Sequence, residues 1–146
     1  MATIFEVAKY IVEKLGTMTT MKMQKLTYYC QAWSLAWDGK PLFNEDFQAW
    51  ANGPVNYELF TMHKGNFSIN NSSFASVENG SFTKSEKDTL DSVLKFYGDK
   101  EPLWLSELTH KEAPWKNARN GCAAGMPCSN IISKESMQEY YSGLVN

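Results

Sequence analysis

The sequence predicts a mainly helical α+β fold, with a central helix buried on two sides and a small antiparallel β element. Residues 20–37 have helix length and carry large apolar side chains on two opposite faces, as in a helix that is packed on both sides. Two short apolar segments, 42–43 and 47–50, follow it between turn residues and have the length of strands. The chain has 146 residues with no internal repeat or linker. We therefore expect one domain, residues 1–146.

Two helices are predicted in the N-terminal quarter. Apolar residues recur along one face of the first helix, which Gly16 ends: Ile4, Val7, Ala8, Ile11, Val12 and Leu15. The second is the central helix, which begins near Thr19 or Thr20 and extends to Trp37. It stops before Asp38–Pro41, where glycine and proline favour a turn.

The β element is predicted directly after this turn. Leu42–Phe43 and Phe47–Trp50 are interpreted as strands around the turn residues Asn44–Asp46. Gly53-Pro54 would end the second strand and place proline at the start of a third helix, which ends near residue 65. Residues 65–82, rich in Asn and Ser, form either a short hairpin or a surface loop, and the sequence leaves both possibilities open.

The C-terminal half is predicted to be helical. Thr83–Glu86 has the capping-box pattern, in which the threonine and glutamate side chains bond each other's backbone N–H groups. The helix that it begins closes at Gly98. The remaining predicted elements are a short helix over 103–108, one or two helical turns over 114–119, a loop over 120–130 and a last helix capped by Ser133.

Composition narrows the functional class. Five Trp, seven Tyr and eight Phe supply a substantial core, which excludes a wholly disordered chain. The net charge is −2, there is no basic stripe, and Arg119 is the only arginine. This charge distribution disfavours nucleic acids and anionic membrane surfaces as partners. Three cysteines, without a signal-peptide pattern, favour a reducing, cytoplasmic location.

No residue pattern indicates catalysis, a cofactor or a metal. A zinc site from His63, His110, Cys122 and Cys128 would need unusual spacing, because the cysteines are wider apart than in a zinc knuckle. A Cys128–His110 nucleophile pair lacks both an activating turn and an orienting acid. Packed or exposed thiols are expected instead, and Cys30 is placed in the core. We predict that the protein is not an enzyme.

Lys25 is the charged residue that the helical pattern does not explain. It stands in the central helix among apolar side chains. Its stem is expected to lie along apolar surface with the ammonium at the rim; a buried acid or a partner are the alternatives. Gly53-Pro54-Val55 has a single glycine and no lysine, so it is interpreted as a geometric corner and not a phosphate loop.

Trp and Tyr dominate protein–protein hot spots, so aromatic residues beside short helices and loops are candidates for contact with a partner. Histidines near helix ends have either a structural or a contact role. The predicted partner-binding residues are Tyr57, Phe60, His63, Trp104, His110 and Trp115.

Several segments together resemble the SocA-like antitoxin family, also called the Panacea domain. The resemblance covers about residues 5–141, in order. The matching segments are Gln24-Lys25-Leu26 with Tyr28, Tyr29, Gln31 and Trp33, then Gly39–Phe43, Ala49-Trp50, Gly53-Pro54-Val55, Leu105–His110 and Pro114-Trp115.

This resemblance implies a helical α+β fold, a prokaryotic or phage origin, and a role as the protein antitoxin of a two-gene pair. The implied partner is a cognate toxin, neutralised by direct binding. The alternative that the family offers is a proteolytic adaptor, which would deliver the toxin to a cytosolic protease. A cysteine-dependent enzyme and a DNA-binding autorepressor are the further alternatives. The sequence does not indicate the oligomeric state.

Overall fold

The computed structural model describes residues 1–144. The helices in this range are α1 (Ile4–Leu15), α2 (Thr20–Asp38), α3 (Tyr57–His63), α4 (Lys84–Tyr97), α5 (Pro102–Lys111), α6 (Ala113–Ala118) and α7 (Lys134–Leu144). The strands are β1 (Met18–Thr19), β2 (Phe47–Trp50), β3 (Gly53–Val55), β4 (Ser68–Ile69) and β5 (Ile131–Ile132), and a 3-10 helix spans Asn71–Phe74. The predicted helical α+β class is confirmed.

Helix α2 is the centre of the fold, as predicted. Every residue from Met23 to Leu35 is buried, because α1, α4, α5, α7 and β3 all pack against it. Thr19 caps its N-terminus by accepting from the backbone N–H of Lys22. Gly39 ends the helix with φ of +70°, a left-handed conformation that glycine adopts without strain.

The main sheet is antiparallel, with strand order β3-β2-β5. The prediction that Leu42–Phe43 is a strand is wrong. Both residues are fully buried, but their backbone bonds the side chain of Gln31, which accepts from Leu42 N and donates to Phe43 O, both at 2.8 Å. An α2 side chain therefore takes the place of a neighbouring strand.

The second strand and third helix also differ from the prediction. Gly53–Val55 is strand β3, and Asn56 caps α3 by accepting from Leu59 N at 2.7 Å. Pro54 thus lies in a strand and does not begin a helix. Strand β5 was not predicted, because two residues carry no detectable alternation.

Residues 65–82 do not form a hairpin; most of them are exposed, as in the predicted surface loop, but two points anchor the segment. Strand β4 pairs antiparallel with β1, with Met18 opposite Ile69, and Phe74 is fully buried. The segment is therefore tied to the N-terminus of α2. The predicted capping box at Thr83 and Glu86 is confirmed.

A polar cluster lies inside the core between α2, α7 and the α5–α6 junction. The Glu112 carboxylate accepts hydrogen bonds from the hydroxyls of Tyr29 and Tyr141, both at 2.7 Å. Burial raises the pKa of Glu112, and the two hydroxyls oppose that shift. Tyr28 adds a hydroxyl contact with Tyr141 at 3.1 Å. Because each polar group has a partner, the cluster is compatible with burial.

Candidate functional site

A pocket of about 840 Å³ opens between α2, the β2–β3 hairpin, α3 and the loop that precedes β5. Its volume is within the usual range for ligand sites. Its wall is largely apolar and aromatic, with Trp50, Tyr57 and Phe60 along one side. The rings of Trp50 and Phe60 meet edge to face at 4.9 Å, which fixes that side of the pocket.

Lys25 lies at the base of this pocket. The residue is 1% exposed, so the prediction that its ammonium reaches the rim is wrong. Its Nζ donates to the carbonyl oxygen of Pro54 at 3.2 Å, and no carboxylate of residues 1–144 forms an ion pair with it. Burial lowers the pKa of Lys25 to about 7, since desolvation penalises the charged form.

The Gly53-Pro54 step makes room for Lys25. Gly53 has φ of +118°, and a Cβ there would lie 2.5 Å from Lys25 Cε and 2.9 Å from Thr109 Oγ1. Only glycine fits this approach without displacing the lysine. The motif was predicted to form a geometric corner. In the structure this corner places the Pro54 carbonyl within hydrogen-bond distance of the Lys25 ammonium.

Gln24 joins α2 to α3 beside Lys25. Its Oε1 accepts from Asn56 N at 2.9 Å, and its Nε2 donates to Asn56 O at 3.2 Å. The Nε2 of Gln24 also lies 3.0 Å from His63 Nε2. Burial lowers the pKa of His63, and the nearby Lys25 lowers it further. Neutral His63 accepts this bond through Nε2.

The opposite wall is the loop before β5. Arg119, 7% exposed, donates to Ala49 O on β2 and to Ala123 O and Met126 O in the loop, each at 2.8 Å. Cys122 and Cys128 form a disulfide, with Cα atoms 5.9 Å apart, so the prediction of free thiols is wrong for this pair. The arginine and the disulfide together hold the loop against the pocket.

The family model described as "Antitoxin SocA-like, Panacea domain" matches residues 23–116. The chain belongs to this family. Comparison with curated proteins and with solved structures gives no match. No helix within residues 1–144 combines the length and hydrophobicity that a membrane span requires.

The Panacea match contains most of the pocket but not all of it. Lys25, Gln24, Gly53 and His63 lie within residues 23–116, whereas the disulfide loop lies outside. The base and the aromatic wall are therefore part of the matched segment, and the wall from Gly125 to Ser129 lies outside it.

Three of the six predicted partner-binding residues of this Panacea chain line the pocket: Tyr57, Phe60 and His63. His110 and Trp115 stack on each other at 4.1 Å behind the wall, and Trp115 Nε1 donates to Trp50 O at 2.8 Å. Trp104 is 42% exposed outside the pocket, beneath Lys100. The role of all six in binding stays a prediction.

His110 has one unusual feature. Its Nε2 is buried and has no hydrogen-bond partner among the described residues. Burial lowers the pKa of His110, and the charges of Lys25 and Arg119 lower it further. His110 is therefore a neutral ring stacked on Trp115. Cys128 is disulfide-bonded, so it does not supply the free thiol that a Cys128–His110 pair would need.

The sequence patterns did not predict that Lys25 is buried, or that Gln24 and Trp50 line the pocket. The one feature of the sequence that could have indicated the burial of Lys25 is its position among apolar residues of the central helix.

Among residues 1–144, no group of three or more His, Cys, Asp or Glu side chains is arranged to hold a metal ion.

Proposed function

We propose that this Panacea chain is an antitoxin that neutralises a cognate protein toxin by direct binding, without catalysis of its own. The observation that carries the proposal is the family match over residues 23–116. That segment includes most of α2, the β2–β3 hairpin and α3, which form the base and aromatic wall of the pocket.

The chemistry of the pocket supports a protein partner. Tyr57 is 51% exposed at the pocket edge, and Trp50 and Phe60 lie beside it with their rings held in place. Rigid, partly exposed aromatic residues around a pocket are typical of interface hot spots. We place the toxin contact on this surface, which includes Tyr57, Phe60 and His63.

A growth assay tests the proposal. The gene adjacent to that of this chain is expressed in a bacterial host, alone and together with the antitoxin, and growth and co-purification are scored. We expect the neighbour to arrest growth, and the antitoxin to restore growth and to co-purify with it. A harmless neighbour that does not co-purify would contradict the proposal. Restored growth with loss of the neighbour's protein would indicate the adaptor mechanism instead.

The assay has a matched pair of variants. Tyr57→Ala combined with Phe60→Ala removes the aromatic edge of the pocket and should reduce co-purification at least about tenfold. Phe67→Ala is the control, because Phe67 is 83% exposed and does not line the pocket. Equal losses from both changes would place the contact elsewhere on the surface.

A further inference from the structure

We propose that the pocket accepts an acidic side chain of the partner protein, whose carboxylate pairs with Lys25. This inference rests on the proposed antitoxin function and specifies its chemistry. The occupant of the pocket base is then the side chain of an aspartate or a glutamate of the toxin.

The charge lining the pocket is uncompensated. Of residues 1–144, those that line the pocket include one lysine and one histidine, and neither an aspartate nor a glutamate. His63 accepts a hydrogen bond from Gln24 and is neutral. Lys25 is thus the single cationic group in a pocket with apolar walls, and one monoanion would balance it.

Lys25 also has unused hydrogen-bonding capacity. An ammonium group has three N–H donors, and the structure gives Lys25 one acceptor, the Pro54 carbonyl. A buried charge that lacks a counter-charge is strongly disfavoured, and methionine would fill the same space without that penalty. A carboxylate from outside the chain supplies both the counter-charge and further acceptors.

A carboxylate fits better than a phosphate. A phosphate dianion is usually bound by several donors or charges, such as arginine forks or glycine-rich loops, and this pocket offers one ammonium. The aromatic edge at Tyr57 and Phe60 argues for a protein source, because these rings would contact residues on either side of the inserted side chain. The volume of about 840 Å³ admits a side chain with its flanking backbone.

The first test needs no toxin. The Nζ and Cε resonances of Lys25 are followed by NMR during pH titration, with N-acetyl-glutamate N-methylamide added at up to about 50 mM, which covers the weak affinity of a single contact. We expect this probe to raise the pKa of Lys25 by about one unit or more. N-acetyl-glutamine N-methylamide should leave it unchanged. Lys25→Met assigns the signals.

Two outcomes of this titration would overturn the inference. One is that neither the resonances nor the pKa of Lys25 respond to the glutamate probe. The other is that inorganic phosphate, titrated in the same way, produces a larger shift than the glutamate probe. The second outcome would make the pocket an anion site for phosphate groups.

The second test uses the partner gene and separates this inference from the proposed function. Lys25→Met should lower affinity for the neighbour's protein at least about tenfold and abolish growth rescue, while circular dichroism shows a folded protein. Lys22→Met is the matched control, because Lys22 is on the same helix but outside the pocket, and it should rescue fully. If both variants rescue like wild type, the inference is wrong and the antitoxin function stands. If wild type itself neither rescues nor binds, the proposed function is wrong, and the glutamate titration alone decides whether the pocket selects a carboxylate.

Discussion

Lys25 lowers the stability of the free protein, because its charge is buried without a counter-charge. Its ordinary pKa of 10.5 applies in the unfolded chain and falls to about 7 on folding. Between these pH values the unfolded chain holds a proton that the folded chain has released. The free energy of unfolding therefore rises with pH in this window. His63 and His110 have lowered pKa values and are neutral throughout it.

We expect the wild type to gain about 1 kcal/mol of unfolding free energy between pH 7 and pH 8, below the ordinary pKa values of 9.0 for Cys30 and 10.0 for the buried tyrosines in the unfolded chain. Lys25→Met should be more stable than wild type at pH 7 and should lack this rise. Urea unfolding followed by tryptophan fluorescence measures both. Parallel pH dependences in the two proteins would show that Lys25 keeps its ordinary pKa.

Gly53 is the residue on which the position of Lys25 depends. Gly53→Ala adds a Cβ only 2.5 Å from Lys25 Cε at φ of +118°, and we expect it to lower the free energy of unfolding by about 2–3 kcal/mol. Gly125→Ala is the control, since Gly125 also has positive φ but faces open space and should lose about 1 kcal/mol. Equal effects would mean that backbone strain alone, and not the approach of Lys25, accounts for the loss.

At the scale of elements, α2 uses buried glutamines to bind extended backbone. Gln31 bonds Leu42 N and Phe43 O, and Gln24, two turns earlier, bonds the N–H and C=O of Asn56. A primary amide offers one acceptor and one donor face, so it can pair with a peptide group as a neighbouring strand would. These contacts connect the helix to the segments that precede β2 and follow β3 in the chain.

Gln31→Leu should lower the free energy of unfolding by about 2–4 kcal/mol, because it leaves the buried Leu42 N–H and Phe43 C=O without partners. Gln138→Leu, at an exposed position of α7, should change it by less than about 0.5 kcal/mol. Chemical denaturation measures both variants. A loss for Gln31→Leu no larger than that of the control would indicate that the extended segment finds other partners.

The elements that could be predicted are those whose defining residues lie within or directly beside the element in the sequence. Helices α1, α2 and α4 have apolar periodicity and side-chain caps within their own sequence. Strands β1, β4 and β5 have two residues each, and their partners are distant in the chain. Leu42–Phe43 has the composition of a strand, but the side chain of Gln31 takes its hydrogen bonds. These features depend on tertiary contacts that sequence patterns do not contain.

At the scale of the whole molecule, one buried cluster includes residues of α1 to α5 and α7, and Trp115 and Ala118 of α6 pack against it. We propose that residues 1–146 form one cooperative domain. Thermal unfolding followed by far-ultraviolet circular dichroism and by tryptophan fluorescence should then give coincident single transitions. Two separated transitions would contradict the proposal.

The pocket is a property of the assembled molecule. Its walls come from α2, β2, β3, α3 and the loop before β5, and Lys25 is buried where β3 packs against α2. The sequence indicated Tyr57, Phe60 and His63 as candidates because of their residue type and position. It could not indicate that Lys25 lies buried in the same pocket, since the same residue on a half-exposed helix would extend into solvent.

The most direct measurement is calorimetric titration of the purified antitoxin with an inactive form of the neighbour's protein. We expect saturable binding by wild type and by Lys22→Met, and binding at least about tenfold weaker by Lys25→Met. Absence of binding by wild type, in conditions where co-expression restores growth, would contradict neutralisation by direct contact.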